Sequence, residues 1–275
     1  MAEQTAPTFQ NKVEVVTGAS AGIGRALCLA LAPQHPRLVL AARDKDRLQQ
    51  VADACRALGA ETLVVPTDVS SNAACQRLVS RVVSSFGGLD VLVNNAGFSM
   101  RARLEDVSEP ALFERLMQVN YLGPVYLTYY ALAELKKSRG LIVVLSSLTG
   151  LAGVPTRTGY AASKHALLGF FDSLRIELKD SGVGVTVVCP DFVVSEIDRR
   201  SAGADGQPLG ERAVQHRGIM SAETCAARIV TAMEKRRRLL VLSFRGRLGR
   251  WLKLLAPGLL DWMSARAVRS EAKGS

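Results

Sequence analysis

The sequence lacks the cysteine pattern of a disulfide framework or a structural zinc site. Its five cysteines are odd in number, widely spaced and include no Cys-x-x-Cys pair, which argues against both kinds of cross-link. The three histidines (His35, His165 and His216) show no metal-ligand spacing either, so no metal is predicted. A reducing, cytoplasmic location is the expectation. The cysteines are Cys28, Cys55, Cys75, Cys189 and Cys225.

Long hydrophobic runs are also missing. No stretch of 18 or more apolar residues occurs, and the N-terminus carries Glu3 without the basic and apolar regions of a signal peptide. Aromatic residues make up only 5% of the chain, whereas Ala, Gly and Val are common. Small residues let helices lie close on a parallel sheet. Together with a length of 275 residues, this favours one large soluble α/β domain.

Net positive charge is nearly absent from the first 234 residues and is concentrated after them. The whole chain carries +10, and eleven Lys or Arg against two acidic residues between Lys235 and Ser275 supply +9 of it. The preceding part is therefore close to neutral, at +1. Because that part has neither a basic excess nor a nucleic-acid motif, no nucleic-acid partner is predicted.

Short, wholly apolar runs alternate with amphipathic helical stretches. This order indicates βαβ units, and strands that are apolar throughout indicate a parallel sheet covered on both faces. We predict an α/β, doubly wound, Rossmann-type fold with a seven-stranded parallel sheet and helices on both faces. The predicted organisation is an N-terminal tail (1–10), one domain (11–245) and a basic amphipathic extension (246–275). The predicted strands are Val13–Thr17, Leu38–Ala41, Thr62–Pro66, Val91–Asn94, Leu141–Ser146, Val185–Val188 and Leu239–Leu242.

Two features do not follow this pattern. Glu14 falls inside the first predicted strand, where a buried carboxylate needs a partner, so we expect it to face the sheet edge or a helix terminus. The segment Ser201–Gly218 is long, polar and rich in Gly and Pro. Loops of that kind often cover ligands, and a mobile lid is predicted there.

A glycine-rich segment, Thr17–Gly24 (TGASAGIG), follows the first predicted strand and opens a helix. Glycines permit a tight turn and let backbone N–H groups approach a pyrophosphate at the positive end of the helix dipole. The strand–turn–helix context is the one that a dinucleotide-binding fingerprint requires. We therefore predict a dinucleotide site rather than a turn without a ligand.

The end of the second predicted strand bears on the choice between NAD(H) and NADP(H). NAD enzymes usually carry an acidic residue here for the ribose 2′-hydroxyl, whereas an arginine accommodates a 2′-phosphate. This chain has Ala42 followed by Arg43, and Asp44 comes too late for the ribose contact. The pattern favours NADP(H) over NAD(H); the alternative is that Arg43 is an ordinary exposed loop arginine.

A tyrosine and a lysine four residues apart, Tyr160 and Lys164, predict acid–base chemistry. This spacing puts both side chains on one helix face. A nearby ammonium stabilises the phenolate and lowers the pKa of the phenol, so that it exchanges a proton at working pH. Ser147 ends the fifth predicted strand and can hydrogen-bond the same substrate oxygen. The alternative for the pair alone is a surface Tyr/Lys contact.

Taken together, these segments resemble the short-chain dehydrogenase/reductase family. The resemblance rests on Thr17–Gly24 as TGxxxGxG, the Asn-Asn-Ala-Gly run at 94–97, Asn120, Ser147 and the Tyr160/Lys164 pair, in the family's order and spacing. It covers roughly residues 10–245. It implies that the domain binds NADP(H) and holds the catalytic site, with hydride transfer between a nicotinamide and a carbonyl carbon.

The resemblance also implies a role for each catalytic residue. Tyr160 is the general acid in reduction and the base in oxidation, and Lys164 lowers its pKa and binds the nicotinamide ribose. Ser147 fixes the carbonyl oxygen, while Ser146 only packs or bonds the backbone. Asn120 kinks its helix and holds a water in a proton relay. The predicted cofactor-binding residues are Gly18, Ser20, Ala21, Gly22, Ile23, Gly24, Arg43, Asp68, Val69, Asn95, Ala96, Gly97, Tyr160, Lys164, Val193 and Ser195.

The chain departs from the family's pattern at three positions. Asp191 stands after Pro190 where the family usually has glycine, and Ser195 stands where it has a threonine that contacts the nicotinamide. A carboxylate near the nicotinamide favours the positively charged, oxidised ring. Ala21 occupies a position where many NADP-using relatives carry a basic residue. Arg43 would therefore bind the 2′-phosphate without a second basic side chain at this position.

The basic extension predicts an amphipathic helix. The apolar residues at helical spacing are Leu248, Trp251, Leu252 and Leu255, whereas Arg250 and Lys253 lie elsewhere on the helical wheel. Pro257-Gly258 then breaks the helix. Two interpretations stay open. The helix packs over the domain or a second subunit, or its apolar face lies on an anionic membrane surface.

The predicted function is an NADP(H)-dependent oxidoreductase that interconverts a ketone or aldehyde with an alcohol. Apolar residues of the segments expected to line the pocket (Phe98–Arg103, Leu148–Thr158 and Val194–Met220) favour a small lipophilic substrate. The alternatives are a 3-oxoacyl thioester reductase and a non-enzymatic NADP(H)-binding sensor or scaffold. The resemblance further implies a homodimer or homotetramer through two long helices, Ala111–Lys136 and Tyr160–Lys179.

Overall fold

Seven parallel strands and nine α-helices form the described part of the chain. In this computed structural model the described residues are 8–193, 200–210 and 220–272. The strands are β1 (Val13–Thr17), β2 (Arg37–Ala42), β3 (Glu61–Pro66), β4 (Val91–Asn94), β5 (Leu141–Leu145), β6 (Gly184–Cys189) and β7 (Leu239–Val241). The helices are α1 (Gly22–Leu31), α2 (Lys45–Ala57), α3 (Asn72–Phe86), α4 (Ala111–Met117), α5 (Gly123–Ser138), α6 (Thr158–Glu177), α7 (Ala222–Glu234), α8 (Phe244–Leu255) and α9 (Pro257–Ala272).

The strand order, β3-β2-β1-β4-β5-β6-β7, is that of a doubly wound sheet, and it confirms the predicted fold class. The order reverses between β1 and β4, so the carboxyl ends of these two strands flank a crevice in which such folds bind ligands. The predicted seven strands match the observed ones to within one residue at each end.

Two hydrophobic clusters cover the two faces of the sheet. Val16 of β1 enters the cluster formed with α1, α2 and α7. Its neighbour Val15 enters the opposite cluster, formed with α3, α5 and α6. Successive strand residues point to opposite faces, so a strand buried on both sides must be apolar throughout. This explains the continuous apolar runs of the sequence.

One prediction about the helices needs correction. The stretch Ala111–Lys136 is not one regular helix, because a π-helical turn at Gln118–Leu122 separates α4 from α5. A π-turn inserts one extra residue into the helical repeat, a local event that side-chain periodicity does not reveal. Phe9, which falls in the predicted N-terminal tail, is buried in the core.

Glu14 is fully buried in the interior of the sheet, and the expectation of an edge or helix-terminus position is wrong. It lies on β1 between Leu38 of β2 and Val91 of β4. Neither carboxylate oxygen has a hydrogen-bond partner among the described residues. Burial, reinforced by the nearby charge of Asp90, raises the pKa of Glu14 well above its ordinary value.

Replacing Glu14 with methionine is expected to stabilise the fold, and more so at pH 8 than at pH 5. As the pH rises above the ordinary carboxyl pKa, the unfolded chain releases the Glu14 proton while the folded chain retains it, so stability falls until the raised pKa is reached. An apolar side chain removes this loss, which we expect to amount to about 1–3 kcal/mol. Urea unfolding at both pH values measures it.

Glu61→Met is the matched control, because Glu61 is exposed on β3. Its stability should change by no more than about 0.5 kcal/mol. A Glu14→Met protein with the same stability as the parent chain at both pH values contradicts the assignment of a protonated, unpartnered carboxyl.

Candidate active site

A cavity of about 950 Å³ runs along the carboxyl edge of the sheet. Its size lies at the upper end of the range for small-molecule sites, about 300–1,000 Å³. Its walls come from the end of β1 and the start of α1, from the ends of β2, β4, β5 and β6, and from Tyr160 and Lys164 of α6. The cavity therefore occupies the crevice where the strand order reverses.

The β1–α1 turn forms a cradle suited to phosphate. Gly18 and Gly22 have positive φ angles of 65° and 54°, a region that glycine enters without strain. Helices α2, α3 and α7 each begin with a side chain that accepts a backbone N–H, whereas α1 begins at Ala21 without one. The first N–H groups of α1 are thus left for an anion. The predicted residues that line the cavity here are Gly18, Ser20, Ala21, Gly22 and Ile23.

Gly24 lies beneath this cradle and is not among the residues that line the cavity. A Cβ placed on Gly24 would lie 2.3 Å from the carbonyl oxygen of Gly18 and 2.5 Å from Nδ2 of Asn95. These separations are shorter than any van der Waals contact. Gly24 therefore lets α1 pack against the turn that shapes the cradle, rather than contacting a ligand.

Hydrogen bonds between the end of β1 and the residues after β4 hold the cavity floor together. Thr17 Oγ1 accepts hydrogen bonds from the backbone N–H groups of Asn95 and Ala96, both at 3.0 Å, and donates to the carbonyl of Val93. Asn95 Nδ2 donates to the carbonyl of Thr17 at 2.7 Å. Asn95, Ala96 and Gly97, which were predicted from sequence, all line the cavity. The role of Thr17 was not predicted, because a threonine at the end of a strand gives no such signal.

The far end of the cavity is lined by residues after β2 and β3. Arg43, Asp68 and Val69 line the cavity as predicted. Asp44 accepts the backbone N–H of Arg47 at 3.0 Å and pairs with its guanidinium, and so caps α2. This engagement occupies the acidic side chain nearest to Arg43. Asp68 Oδ1 accepts hydrogen bonds from the N–H and the hydroxyl of Ser70, which holds that turn in place.

Three of the four residues predicted from sequence to be catalytic lie at the other end. Ser147, Tyr160 and Lys164 all line the cavity. Lys164 Nζ lies 5.8 Å from the centre of the Tyr160 ring and donates to the carbonyl of Leu145 at 2.8 Å. Burial lowers the pKa of Lys164 to about 8. Ser146 donates its hydroxyl to the carbonyl of Lys164, as expected of the serine assigned a backbone bond.

Asn120 supports the site without lining the cavity. It sits in the π-helical turn between α4 and α5, in agreement with the kink that the resemblance implies. Its Oδ1 accepts the N–H of Phe98, and its Nδ2 donates to the carbonyl of Phe98 and to the Ser163 hydroxyl. A Cβ on Gly97 would lie 2.9 Å from Asn120 Oδ1. The asparagine thus holds the Gly97–Phe98 backbone beside Lys164.

The segment after β6 completes the wall at this end. Asp191 and Val193 line the cavity, and Ser195 lies outside the described residues. Asp191 Oδ1 accepts its own neighbour's N–H, from Phe192, and Oδ2 pairs with Arg245 at 3.3 Å. The Asp191 carboxylate therefore holds two contacts, a hydrogen bond within its own turn and an ion pair with Arg245.

The segment 200–210, which overlaps the start of the predicted lid, contributes Arg200, Ala202, Gly206, Gln207 and Pro208 to the cavity lining. Residues 200–210 contact the segment after β4 through backbone bonds between Ala202, Ser99 and Arg101, and residues 211–219 lie outside the described residues. The Leu148–Thr158 segment, expected to line the pocket, is absent from the lining formed by the described residues. Residues that sequence reasoning missed line it instead: Thr67, Arg115, Gln118, Val119 and Pro190.

The family described as short chain dehydrogenase matches residues 12–205, more than half of the sequence. The chain belongs to the short-chain dehydrogenase family. A relative named 11-beta-hydroxysteroid dehydrogenase A, from Arachis hypogaea, is 38% identical over 258 residues, which cover 91% of this chain and 74% of the relative. Dehydrogenase/reductase SDR family member 7B from Bos taurus is 36% identical over 275 residues, 96% of this chain and 83% of the relative.

Solved structures of the same family superpose on this short-chain dehydrogenase. One from Burkholderia phymatum in complex with NAD has a TM-score of 0.81 and 28% identity, and covers 92% of this chain and 96% of its own. An alcohol dehydrogenase from the archaeon Thermococcus sibiricus, complexed with 5-hydroxy-NADP, has a TM-score of 0.70 and 30% identity over 84% of this chain and 94% of its own. This short-chain dehydrogenase is therefore an oxidoreductase whose fold binds a nicotinamide cofactor.

The residues present fit such a cofactor. An uncapped helix N-terminus and a glycine cradle suit the phosphates, and any side chain at Gly18 would meet Asn95 at 2.7 Å. The exposed Gly97 leaves the floor open in front of Lys164. Short-chain dehydrogenases act on small-molecule substrates, and Phe98, which packs against the cluster that contains Tyr160, lines the cavity together with Pro208.

Proposed function

We propose that this short-chain dehydrogenase is an NADP(H)-dependent oxidoreductase that interconverts a ketone or aldehyde with an alcohol. The observation that carries the proposal is the convergence of Ser147, Tyr160 and Lys164 on one cavity with the uncapped N-terminus of α1. A phenol, an amine and a hydroxyl at this place are a proton donor, its electrostatic support and an oxygen-binding group.

In this mechanism the bound nicotinamide supplies or takes the hydride. Ser147 donates a hydrogen bond to the carbonyl oxygen and holds it beside the Tyr160 hydroxyl. Tyr160 gives its proton to that oxygen in reduction and takes it back in oxidation. Lys164, with a pKa lowered to about 8 by burial, is mostly charged at neutral pH and stabilises the phenolate. Asn120 positions the Gly97–Phe98 backbone opposite Lys164 through its three hydrogen bonds.

Two features favour NADP(H) over NAD(H). Arg43 is exposed and lines the end of the cavity after β2, where a 2′-phosphate would lie. The nearest acidic residue, Asp44, is engaged in capping α2 and in its pair with Arg47. Asp44 also lines this end of the cavity, but its carboxylate already holds these two contacts, which favours Arg43 as the side chain that meets the ribose.

Arg43→Gln should weaken NADPH binding by about 10- to 100-fold, because one charge-assisted bond to a phosphate contributes about 1.5–3 kcal/mol. NADH binding should change by less than about twofold. Titration of both cofactors by fluorescence or calorimetry measures the two dissociation constants. Arg56→Gln is the control, since Arg56 is a half-exposed arginine on α2 that pairs with Asp53 away from the cavity. Equal losses for NADPH and NADH in Arg43→Gln would rule out 2′-phosphate recognition by this residue.

A lipophilic substrate is proposed for the end of the cavity beyond Tyr160. Phe98, Val193, Ala202 and Pro208 form apolar wall there, although Leu148 and Leu151 do not contribute as expected. The hydroxysteroid dehydrogenase names of several relatives fit a ring-shaped, apolar substrate. Arg200 and Gln207 lie on the same lining and supply polar contacts near the lid.

The test is NADPH consumption against a panel of ketones and aldehydes that spans chain lengths, ring systems and 3-oxoacyl thioesters, run in parallel with NADH. Reduction of apolar carbonyl compounds with NADPH is the expected result. Cofactor binding without turnover of any compound in the panel would instead identify a sensor or scaffold. Preference for thioesters would favour the reductase of 3-oxoacyl groups.

We also propose a homodimer or homotetramer in a reducing, cytoplasmic compartment. Large apolar side chains are exposed on the two helices expected at the interface, Tyr129 on α5 and Ile176 on α6. The five cysteines all fall within the described residues, and each is buried with a free thiol, which suits a reducing compartment. Sedimentation of the parent chain and of Ile176→Glu tests the interface.

A further inference from the structure

The exposed large apolar side chains of the described residues are concentrated at the C-terminal end. Twelve such side chains are exposed, and eight of them lie between Phe244 and Met263 on helices α8 and α9. Single exposed apolar residues are ordinary, whereas a contiguous group marks a surface that contacts something else. The eight are Phe244, Leu248, Trp251, Leu254, Leu255, Leu259, Trp262 and Met263.

Most of these side chains share one side of each helix. On α8, positions 244, 248, 251 and 255 follow one another by four, three and four residues, which places them along a single stripe. On α9, Leu259, Trp262 and Met263 repeat at three and four residues. The two helices pack on each other where Gly249 meets Leu260. We call α8 and α9 with these residues the C-terminal hairpin.

Cations flank the apolar stripe of the C-terminal hairpin. Arg250 lies with its guanidinium 5.7 Å from the Trp251 ring, and Arg266 lies 5.3 Å from the Trp262 ring. Helices α8 and α9 contain six Lys or Arg residues against Asp261 and Glu271. Tryptophan with an adjacent arginine suits the boundary between an apolar layer and anionic headgroups. No helix of the described residues is both long and apolar enough to cross a bilayer.

We propose that the C-terminal hairpin binds the surface of an anionic lipid bilayer, with its apolar stripe in the acyl boundary and its cations at the headgroups. A second copy of the chain is a poorer occupant. A twofold contact through the same patch would bring the arginines of both copies together, and like charges facing each other at an interface are unfavourable. A bilayer surface instead supplies the complementary charge over the whole patch.

The hairpin is attached beside the nicotinamide end of the cavity. Arg245 pairs with Asp191, which lines the cavity. Gly246 is buried so tightly on Leu148, the residue after Ser147, that an added Cβ would lie 2.3 Å from the Leu148 side chain. Lys253 Nζ lies 3.1 Å from Nε2 of His165, the neighbour of Lys164. A bilayer-bound hairpin therefore brings this end of the cavity to the lipid surface, and this consequence rests on the proposed function.

Vesicle flotation of the full chain tests the proposal. The protein should float with phosphatidylcholine vesicles that contain 30% phosphatidylserine, and far less with phosphatidylcholine alone, and added salt should weaken the anionic binding. Trp251→Ser/Trp262→Ser should reduce partitioning by about tenfold or more, since each ring loses its apolar burial. The matched control is Leu58→Ser/Leu104→Ser, which removes exposed apolar side chains elsewhere.

Three results would overturn the proposal: no flotation of the parent chain, equal flotation with both vesicle compositions, or equal flotation of the tryptophan and control variants. Dissociation of an oligomer by the tryptophan substitutions, without vesicle binding by the parent chain, would assign the patch to a second copy.

A separate readout distinguishes this surface from the proposed activity. Turnover of a water-soluble ketone should be unchanged in Trp251→Ser/Trp262→Ser, because neither side chain lines the cavity. Turnover of a ketone carried in anionic vesicles should fall in parallel with binding. Flotation without any carbonyl reduction would contradict the proposed function and leave the membrane surface intact.

Discussion

Replacing Tyr160 with phenylalanine is expected to lower kcat by about 10²–10⁴-fold, the range that general acid–base catalysis contributes. The ring stays in place, because Tyr160 is buried and packs with Met100, Leu112 and Leu116. Only the hydroxyl that exchanges the proton is removed. Cofactor affinity should remain within about threefold of the parent value, since the phosphate cradle is untouched.

Steady-state turnover and cofactor titration of the same preparation measure this split. Tyr130→Phe is the matched control: its hydroxyl donates to Asn72 at 2.6 Å on the surface, and it is not part of the cavity lining. That variant should keep full turnover. A Tyr160→Phe protein as active as Tyr130→Phe would remove Tyr160 from its assigned role.

Replacing Gly24 with alanine is the second change with a large expected effect. The new Cβ would lie 2.3 Å from the Gly18 carbonyl and 2.5 Å from Asn95 Nδ2, so the turn under the phosphates must open. Overpacking of this kind destabilises a fold by about 1–3 kcal/mol. The loss of one or two phosphate contacts should weaken dinucleotide binding by about 10- to 100-fold or more.

Thermal unfolding and cofactor titration detect the two effects of Gly24→Ala separately. Gly169→Ala on α6 is the control, because a Cβ there meets nothing within 4 Å. This substitution should leave binding unchanged and stabilise the helix by about 0.5–1 kcal/mol. Unaltered cofactor binding by Gly24→Ala would show that the cradle is not shaped by the packing of α1 on Gly18.

The sheet was predictable because each strand carries its own signal. A strand buried on both faces is apolar at every position, as in β5, and the glycines between β1 and α1 mark the place where the ligand crevice opens. Glu14 violates that rule and its surroundings could not be inferred. Its burial depends on which strands flank β1, a property of the whole topology rather than of neighbouring residues.

The candidate site was predictable where it depends on short spacings. Tyr160 and Lys164 are one helical turn apart, and the helix alone brings them together. Residues joined by loop paths were harder: Arg115 lines the cavity, and its Nη2 donates to the carbonyl of Gly206, a contact that no spacing in the sequence reveals. Leu148, in contrast, does not line the cavity, because α8 packs onto its side chain at Gly246.

Of the two helices of the C-terminal hairpin, only α8 was predicted from the sequence. The spacing of Leu248, Trp251 and Leu255 identified the amphipathic helix α8, and Pro257 marks its end as expected, because the next helix begins there. Proline at the first position of a helix is favourable, so the same residue that breaks α8 starts α9. The eight exposed apolar side chains are divided between the two helices, so neither helix carries the whole group.

The measurement closest to the central claim is the transfer of deuterium from NADPH to a carbonyl compound. The parent chain is supplied in turn with cofactor deuterated at each of the two C4 positions, together with a ketone that it reduces, and the alcohol is analysed by mass spectrometry and NMR. Direct hydride transfer beside Tyr160 predicts that one of the two labelled cofactors, and not the other, delivers a single deuterium to the carbinol carbon. Cofactor oxidation that leaves the product without deuterium from either label would contradict it.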